Sequence, residues 1–106
     1  MLLAKDDRSM VPSAFDDISY NLCKRRDDVL MMSADLAHYV DLYKVTKDLP
    51  DQYVEVGMAE QNLVGVAAGL AKAGFTPVTT TFGSYASRRC FDQMVICMGT
   101  SKNTGV

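Results

Sequence analysis

The residues best placed to do chemistry are one carboxylate and two aromatic rings. Glu60 stands where a helix begins, and the residues after it are small and apolar: Gly65, Ala67, Ala68, Gly69 and Ala71 among Leu63, Val64, Val66 and Leu70. No charge comes after Glu60 until Lys72. A helix of this make-up is expected to be buried on most sides, which leaves an acid at its start partly desolvated. Two readings of Glu60 stay open at this level. It serves the free N–H groups and dipole of its own helix, or it is a poorly solvated acid at the C-terminal edge of a parallel sheet, where open α/β folds hold ligands. Phe82 and Tyr85, three apart with Gly83 and Ser84 between them, are either core or the walls of a flat pocket for a planar heteroaromatic ring. Ser33 and Asp35 stand just after the end of an apolar run. His38, the single histidine, reads as a partly exposed loop residue, with a polar contact to substrate or cofactor as the alternative. Arg88 and Arg89 open the last helix, against its dipole. They call for a charged partner, either in a surface ion pair or across a subunit interface.

The elements that must position these groups are legible in the spacing. Residues 53–56 are a short β-rich run, and Gly57 breaks it. Leu63, Val66 and Leu70, with Ala67 beside them, form one face of a helix. Gly74 stands directly after Ala73, where a helix end wants a residue that tolerates positive φ. Residues 76–82 alternate and are rich in β-branched side chains. Strand, helix and strand in about thirty residues make a βαβ unit with parallel strands. Gly65 and Gly69 leave a flat helix face that another backbone can approach.

Upstream, residues 1–12 read as a frayed leader, and 13–106 as one domain. Ser13 is a candidate N-cap, with Asp16 and Asp17 in the first turn. Phe15, Ile18 and Leu22 mark the expected buried face of a first helix ending near Arg25 and Arg26. Asp27 and Asp28 make a turn. Residues 29–32 are continuously apolar, as in a strand covered on both faces. Leu42, Val45 and Leu49 line a short helix that Pro50 ends. Lys44, Lys47, Asp48 and Asp51 read as solvated surface. Residues 87–98 read as a helix with Phe91, Met94, Val95 and Met98 inward, and with Cys90 and Cys97 on one core face.

Composition narrows the function classes. The chain has 106 residues, 48% hydrophobic and 23% charged, with a net charge of −2. That suits one small globular domain and gives no electrostatic reason to expect nucleic acid or an acidic membrane as partner. The longest strongly apolar stretch, 63–71, is too short to span a bilayer, and the acidic N-terminus is unlike a signal peptide. Cys23, Cys90 and Cys97 show no metal-ligand spacing and read as reduced thiols of a cytosolic protein. There is no P-loop and no G-x-G-x-x-G.

The stretch VGMAEQNLVGVAAGLAKAGFTPVTTTFGSYASRRCFDQ, together with Ser33-Ala34-Asp35-Leu36-Ala37, resembles the pyrimidine-binding domain of transketolase-like thiamin diphosphate enzymes, a group that includes transketolase and deoxyxylulose phosphate synthase. The resemblance covers most of residues 13–98. It rests on the G-x-A-E-Q-N helix start, the T-F-x-x-[FY] loop and the subsequent R-x-x-D-Q in combination. It implies a three-layer α/β/α domain with a mostly parallel sheet. It implies that Glu60 hydrogen-bonds the aminopyrimidine of thiamin diphosphate, that Tyr85 stacks on that ring, that Phe82 walls the same pocket and that Asp35 lies near the cofactor. Residues 36–44 depart from the family pattern, so no role passes to His38.

The resemblance also implies what the chain leaves to others. The family's G-D-G segment, which holds Mg²⁺ and the diphosphate, has no counterpart here, and the domain is expected to be incomplete at its C-terminus. The cofactor is then shared with the diphosphate-binding domain of a partner subunit, in a dimer or hetero-oligomer, and a lone copy is inactive. The expected reaction is two-carbon ketol transfer between sugar phosphates. A non-catalytic remnant or interaction module of the same fold is the alternative. A flavodoxin-like protein is a third reading, weakened by the lack of a phosphate-binding loop.

Overall fold

The computed structural model describes residues 14–40 and 42–99. The leader at 1–12, the Ser13 cap and the tail from residue 100 lie outside the described residues. Helix α1 (Ala14–Arg25) is followed by strand β1 (Val29–Ser33), the short helix α2 (Tyr43–Asp48), a 3-10 turn (Pro50–Gln52) and strand β2 (Tyr53–Glu55). Helix α3 (Glu60–Lys72) and strand β3 (Thr76–Thr80) come next. The last segment is helical throughout: wide turns over Tyr85–Arg89 and Val95–Gly99 flank a single regular turn, α4 (Phe91–Met94).

The three strands form one parallel sheet in the order β2-β1-β3. Met31 stands opposite both Tyr53 and Val78. Every residue of β1 is buried, as its continuous apolar run requires of a central strand. Pro77, which has no N–H to donate, lies in β3, and among the described residues β3 pairs with β1 alone.

The period-2 alternation of β1 sends its side chains to two separate cores. Val29 and Met31 meet Cys23, Leu42 and Val45 on one face, beneath α1 and α2. Met32 meets Ala34, Leu63 and Ala67 on the other, beneath α3. The result is a three-layer α/β/α arrangement in which each fully buried aliphatic side chain contributes about 1.5–3 kcal/mol. Leu42 and Val45 are fully buried and Leu49 packs against them, as their spacing predicts.

The two glycines read as breaks both adopt positive φ, Gly57 at 73° and Gly74 at 99°. At the end of α3 the Phe75 N–H donates to the Leu70 carbonyl and the Gly74 N–H to that of Ala71, each at 3.1 Å. This pair of bonds satisfies carbonyls the helix would otherwise leave open.

Three helices differ from expectation. In α1 the buried residues are Asp16, Ser19 and Cys23, while Phe15 and Ile18 are 39% and 65% exposed. The helix turns its polar edge inward because Asp16 accepts the backbone N–H of Lys44 at 2.9 Å, at the start of α2. In the last segment Phe91, Val95 and Met98 face outward and only Met94 of the expected four is half-buried. This segment leans on α3 rather than on the sheet, so its covered side is the narrow one that carries Cys90. The wide turns also break the seven-residue repeat, and Cys97 is half-buried where Cys90 is fully buried. Nor is α3 covered on most sides: Gln61, Asn62, Gly65 and Gly69 are exposed, and nothing lies within 4 Å of where a side chain at Gly65 or Gly69 would begin.

Candidate functional site

The strand order sets where a ligand fits. From β1 the chain moves to β2 on one side, and from β2 it crosses back over β1 to β3 through α3. β1 and β3 are parallel neighbours, so the loops that leave them emerge at the same, C-terminal edge of the sheet, the usual ligand position in open α/β folds. Rings from both loops meet there. Tyr39, after β1, lies 6.1 Å from Phe82, after β3, centroid to centroid. Phe82 in turn meets Tyr85 edge-on at 6.0 Å. Phe82 and Tyr85 are 47% and 38% exposed.

Glu60 is brought to the same region by α3. It is 7% exposed, although α3 itself is not covered on most sides. Its two carboxylate oxygens accept from Arg89 Nη1 at 3.1 and 3.0 Å. The Arg89 guanidinium also lies over the Tyr85 ring, 4.1 Å from its centroid. The charged partner of Arg89 is thus Glu60 itself, not a surface carboxylate. Arg88 lines, with Ser84, Tyr85 and Arg89, an open cavity of about 390 Å³.

The electrostatics run opposite to the simple expectation for a buried acid. Burial alone pushes a carboxyl up. Here the backbone N–H at the helix start, with the hydrogen bond and charge of Arg89, holds Glu60 below its ordinary value. Cys90, whose thiol donates to the Tyr85 carbonyl at 3.2 Å, is pushed up by burial and then by the Glu60 charge.

Asp35 is placed at the sheet edge but not on Glu60. It is exposed, with φ of 58°, and its N–H donates to Glu55 Oε1 at 2.7 Å. Glu55 also accepts from the Gly57 N–H at 2.8 Å and, through Oε2, from the Tyr53 hydroxyl at 2.6 Å. One carboxylate at the end of β2 thereby ties the loop after β1 to the loop that leads into Glu60. Burial pushes the Glu55 carboxyl up, but the Tyr53 hydroxyl and these N–H groups outweigh it and hold it low. His38 is exposed, and its ring lies 5.5 Å from that of Tyr43.

Glu60, Phe82 and Tyr85 are thus brought together, and Asp35 is joined to them only through Glu55 and the intervening loop. Three participants carried no readable signal: Glu55, Tyr39 and the pairing of Arg89 with Glu60. Among the described residues no group of three His, Cys, Asp or Glu side chains is arranged to hold a metal ion. Thr81 Oγ1, directly before Phe82, is buried with no hydrogen-bond partner. A mostly buried carboxylate beside two part-exposed aromatic rings suits a flat, nitrogen-bearing ring.

Parallel sheet and ring cluster together define an α/β domain with a candidate ligand crevice at the C-terminal edge of its strands. The family model described as transketolase, pyrimidine binding domain, matches residues 9–105, and the chain belongs to that family. It is 38% identical over 100 residues to the transketolase family protein y4mN of Sinorhizobium fredii, covering 94% of this chain and 28% of that protein. It is 35% identical to the 6-deoxy-6-sulfo-D-fructose transketolase subunit SqwH of a Clostridium strain, over 76% of this chain and 25% of that protein. It is 38% identical to 1-deoxy-D-xylulose-5-phosphate synthase of a Synechococcus strain, over 80% of this chain and 13% of that protein. Among solved structures it resembles a split gene transketolase in an inactive beta4 tetramer, with a TM-score of 0.68 and 31% identity over 76% of this chain and 27% of that one. The chain therefore spans between 13% and 28% of the length of these relatives.

Among the described residues no helix is long and apolar enough to cross a membrane.

Proposed function

We propose that residues 13–106 supply the pyrimidine half of a thiamin diphosphate site, completed by a diphosphate-binding domain or subunit that holds Mg²⁺. The observation that carries this reading is the buried Glu60 carboxylate at the start of α3, next to the Phe82–Tyr85 ring pair. Glu60 hydrogen-bonds a ring nitrogen and shares a proton there. Tyr85 offers its face to the ring, and Phe82 closes the pocket wall. Glu55 fixes the loop ahead of Glu60, and Asp35 lies on the rim. When bound, the cofactor supplies the nucleophilic carbon and takes its proton through its own aminopyrimidine; the protein supplies position and electrostatics. The reaction is two-carbon ketol transfer between sugar phosphates. Among the described residues the cysteines form no disulfide, which suits a reducing compartment, and we read it as the cytoplasm.

Dependence on a partner is supported by the inactive tetramer of the split gene transketolase. Native mass spectrometry of the tagged chain, with thiamin diphosphate and Mg²⁺, is expected to find a larger subunit with bound cofactor. In that assembly Glu60→Gln should abolish activity while the complex still forms; undiminished activity in the variant overturns the assignment. A non-catalytic interaction module is the second reading. It is favoured by the outward apolar row Phe91, Val95 and Ile96, which are 60%, 47% and 63% exposed. A cofactor-free complex indifferent to Glu60→Gln would establish it.

A further inference from the structure

Arg89 engages two groups at once. It donates to both oxygens of Glu60 and lies over the Tyr85 ring. A guanidinium is flat, cationic and edged with N–H donors, and it stacks on aromatic faces. A nitrogen heteroaromatic ring seated on Tyr85 and bonded to Glu60 needs the same face and the same carboxylate. The two cannot be there together.

We propose that Arg89 is a further residue of the ring site and its internal competitor: ring entry and Arg89 departure are one exchange at Glu60 and Tyr85. The inference rests on the reading of these two residues as the ring site. The exchange has room to occur. The Arg89 side chain is 49% exposed, it belongs to a wide helical turn, and the open cavity of about 390 Å³ beside it gives the side chain somewhere to go. The exchange also changes what Glu60 can do. Paired with Arg89, the carboxylate is held ionised. Once the guanidinium leaves, the backbone N–H at the helix start still lowers the carboxyl, but the lowering by Arg89 is gone and its proton affinity rises, which suits an acid that shares a proton with a ring nitrogen. Arg89 and Cys90 are the ionisable neighbours that feel this charge.

The test is a titration of the full chain with the bare ring 4-amino-2-methylpyrimidine, followed by NMR of the Glu60 carboxyl carbon and the Tyr85 ring. Arg89→Met keeps the length of the stem and removes the competitor; Arg89→Lys keeps the charge without the flat fork. The expected result is ring binding about three- to tenfold tighter in Arg89→Met, with an intermediate value for Arg89→Lys. An upward shift of the Glu60 titration is expected in Arg89→Met before any ring is added. Equal or weaker binding in both variants, while Glu60→Gln weakens binding, overturns the competition and leaves the role of Glu60 standing. Binding that Glu60→Gln does not weaken overturns the ring site itself, and the competition with it. Absence of binding in every variant overturns the competition too.

Discussion

Asp16 in α1 and Lys44 in α2 are 28 residues apart, and the carboxylate of the first accepts the backbone N–H of the second at 2.9 Å. Leu42, at the N-cap of α2, makes no side-chain cap. A helix start leaves N–H groups that must find acceptors, and here one acceptor comes from another element. The Lys44 ammonium is paired with Asp17, the neighbour of Asp16. Asp16→Ala should therefore cost about 0.5–2 kcal/mol in urea unfolding followed by circular dichroism, with helix content lost from α2. A change below that range would mean that water caps α2 equally well.

Asp28 predicts a response to acid. The Arg26 guanidinium donates to it at 2.9 and 2.5 Å and the Thr76 hydroxyl at 2.8 Å, which holds its carboxyl at about 2. A depressed carboxyl stabilises the fold above its unfolded value, and the contribution fades as pH falls through the folded one. It is thus whole above about pH 4 and mostly gone near pH 2. Urea midpoints measured between pH 5 and pH 2 should fall in the wild type, and fall less steeply in Asp28→Asn. Parallel slopes would count against the network.

Leu63 is 1% exposed in the core under α3. Leu63→Ala should lower stability by about 2–5 kcal/mol. Because α3 also carries Glu60, protection of the α3 amides from hydrogen exchange should fall with it. Full protection in a destabilised variant would show that the helix holds without this core.

Tyr85 is read as a stacking surface. In the assembled enzyme Tyr85→Leu should weaken thiamin diphosphate by roughly 0.5–1.5 kcal/mol, or about two- to tenfold, as read from cofactor dependence of the rate. Tyr85→Phe keeps the ring and should match the wild type. If Tyr85→Leu also matches, the ring is seated elsewhere.

Much of this was legible in the sequence, for a physical reason. Val29 to Met32, Gly57, Gly74 and the Glu60 helix start are governed by local rules of backbone and periodicity, and the structure obeys them. Leu22 packs against the core as its spacing predicts, but Phe15 and Ile18 of the same apolar stripe were misread, because the deciding contact is between Asp16 and a residue 28 positions on. Arg89 and Glu60, separated by 29 positions, meet only because α3 and the loop after β3 bring them together. Glu55 was silent for the same reason: its partners Asp35 and Gly57 lie in two different loops.

The left-handed backbone at Asp35, φ of 58°, bears on how this position can be interrogated. Only glycine, asparagine and aspartate enter that region at little cost. A saturation library at this position will therefore sort its members by turn geometry first, and valine or isoleucine will score badly whatever the carboxylate does. Asparagine keeps the turn and deletes the charge, while glycine keeps the turn and deletes the side chain. The contrast among these three residues isolates electrostatics from shape at the rim of the crevice.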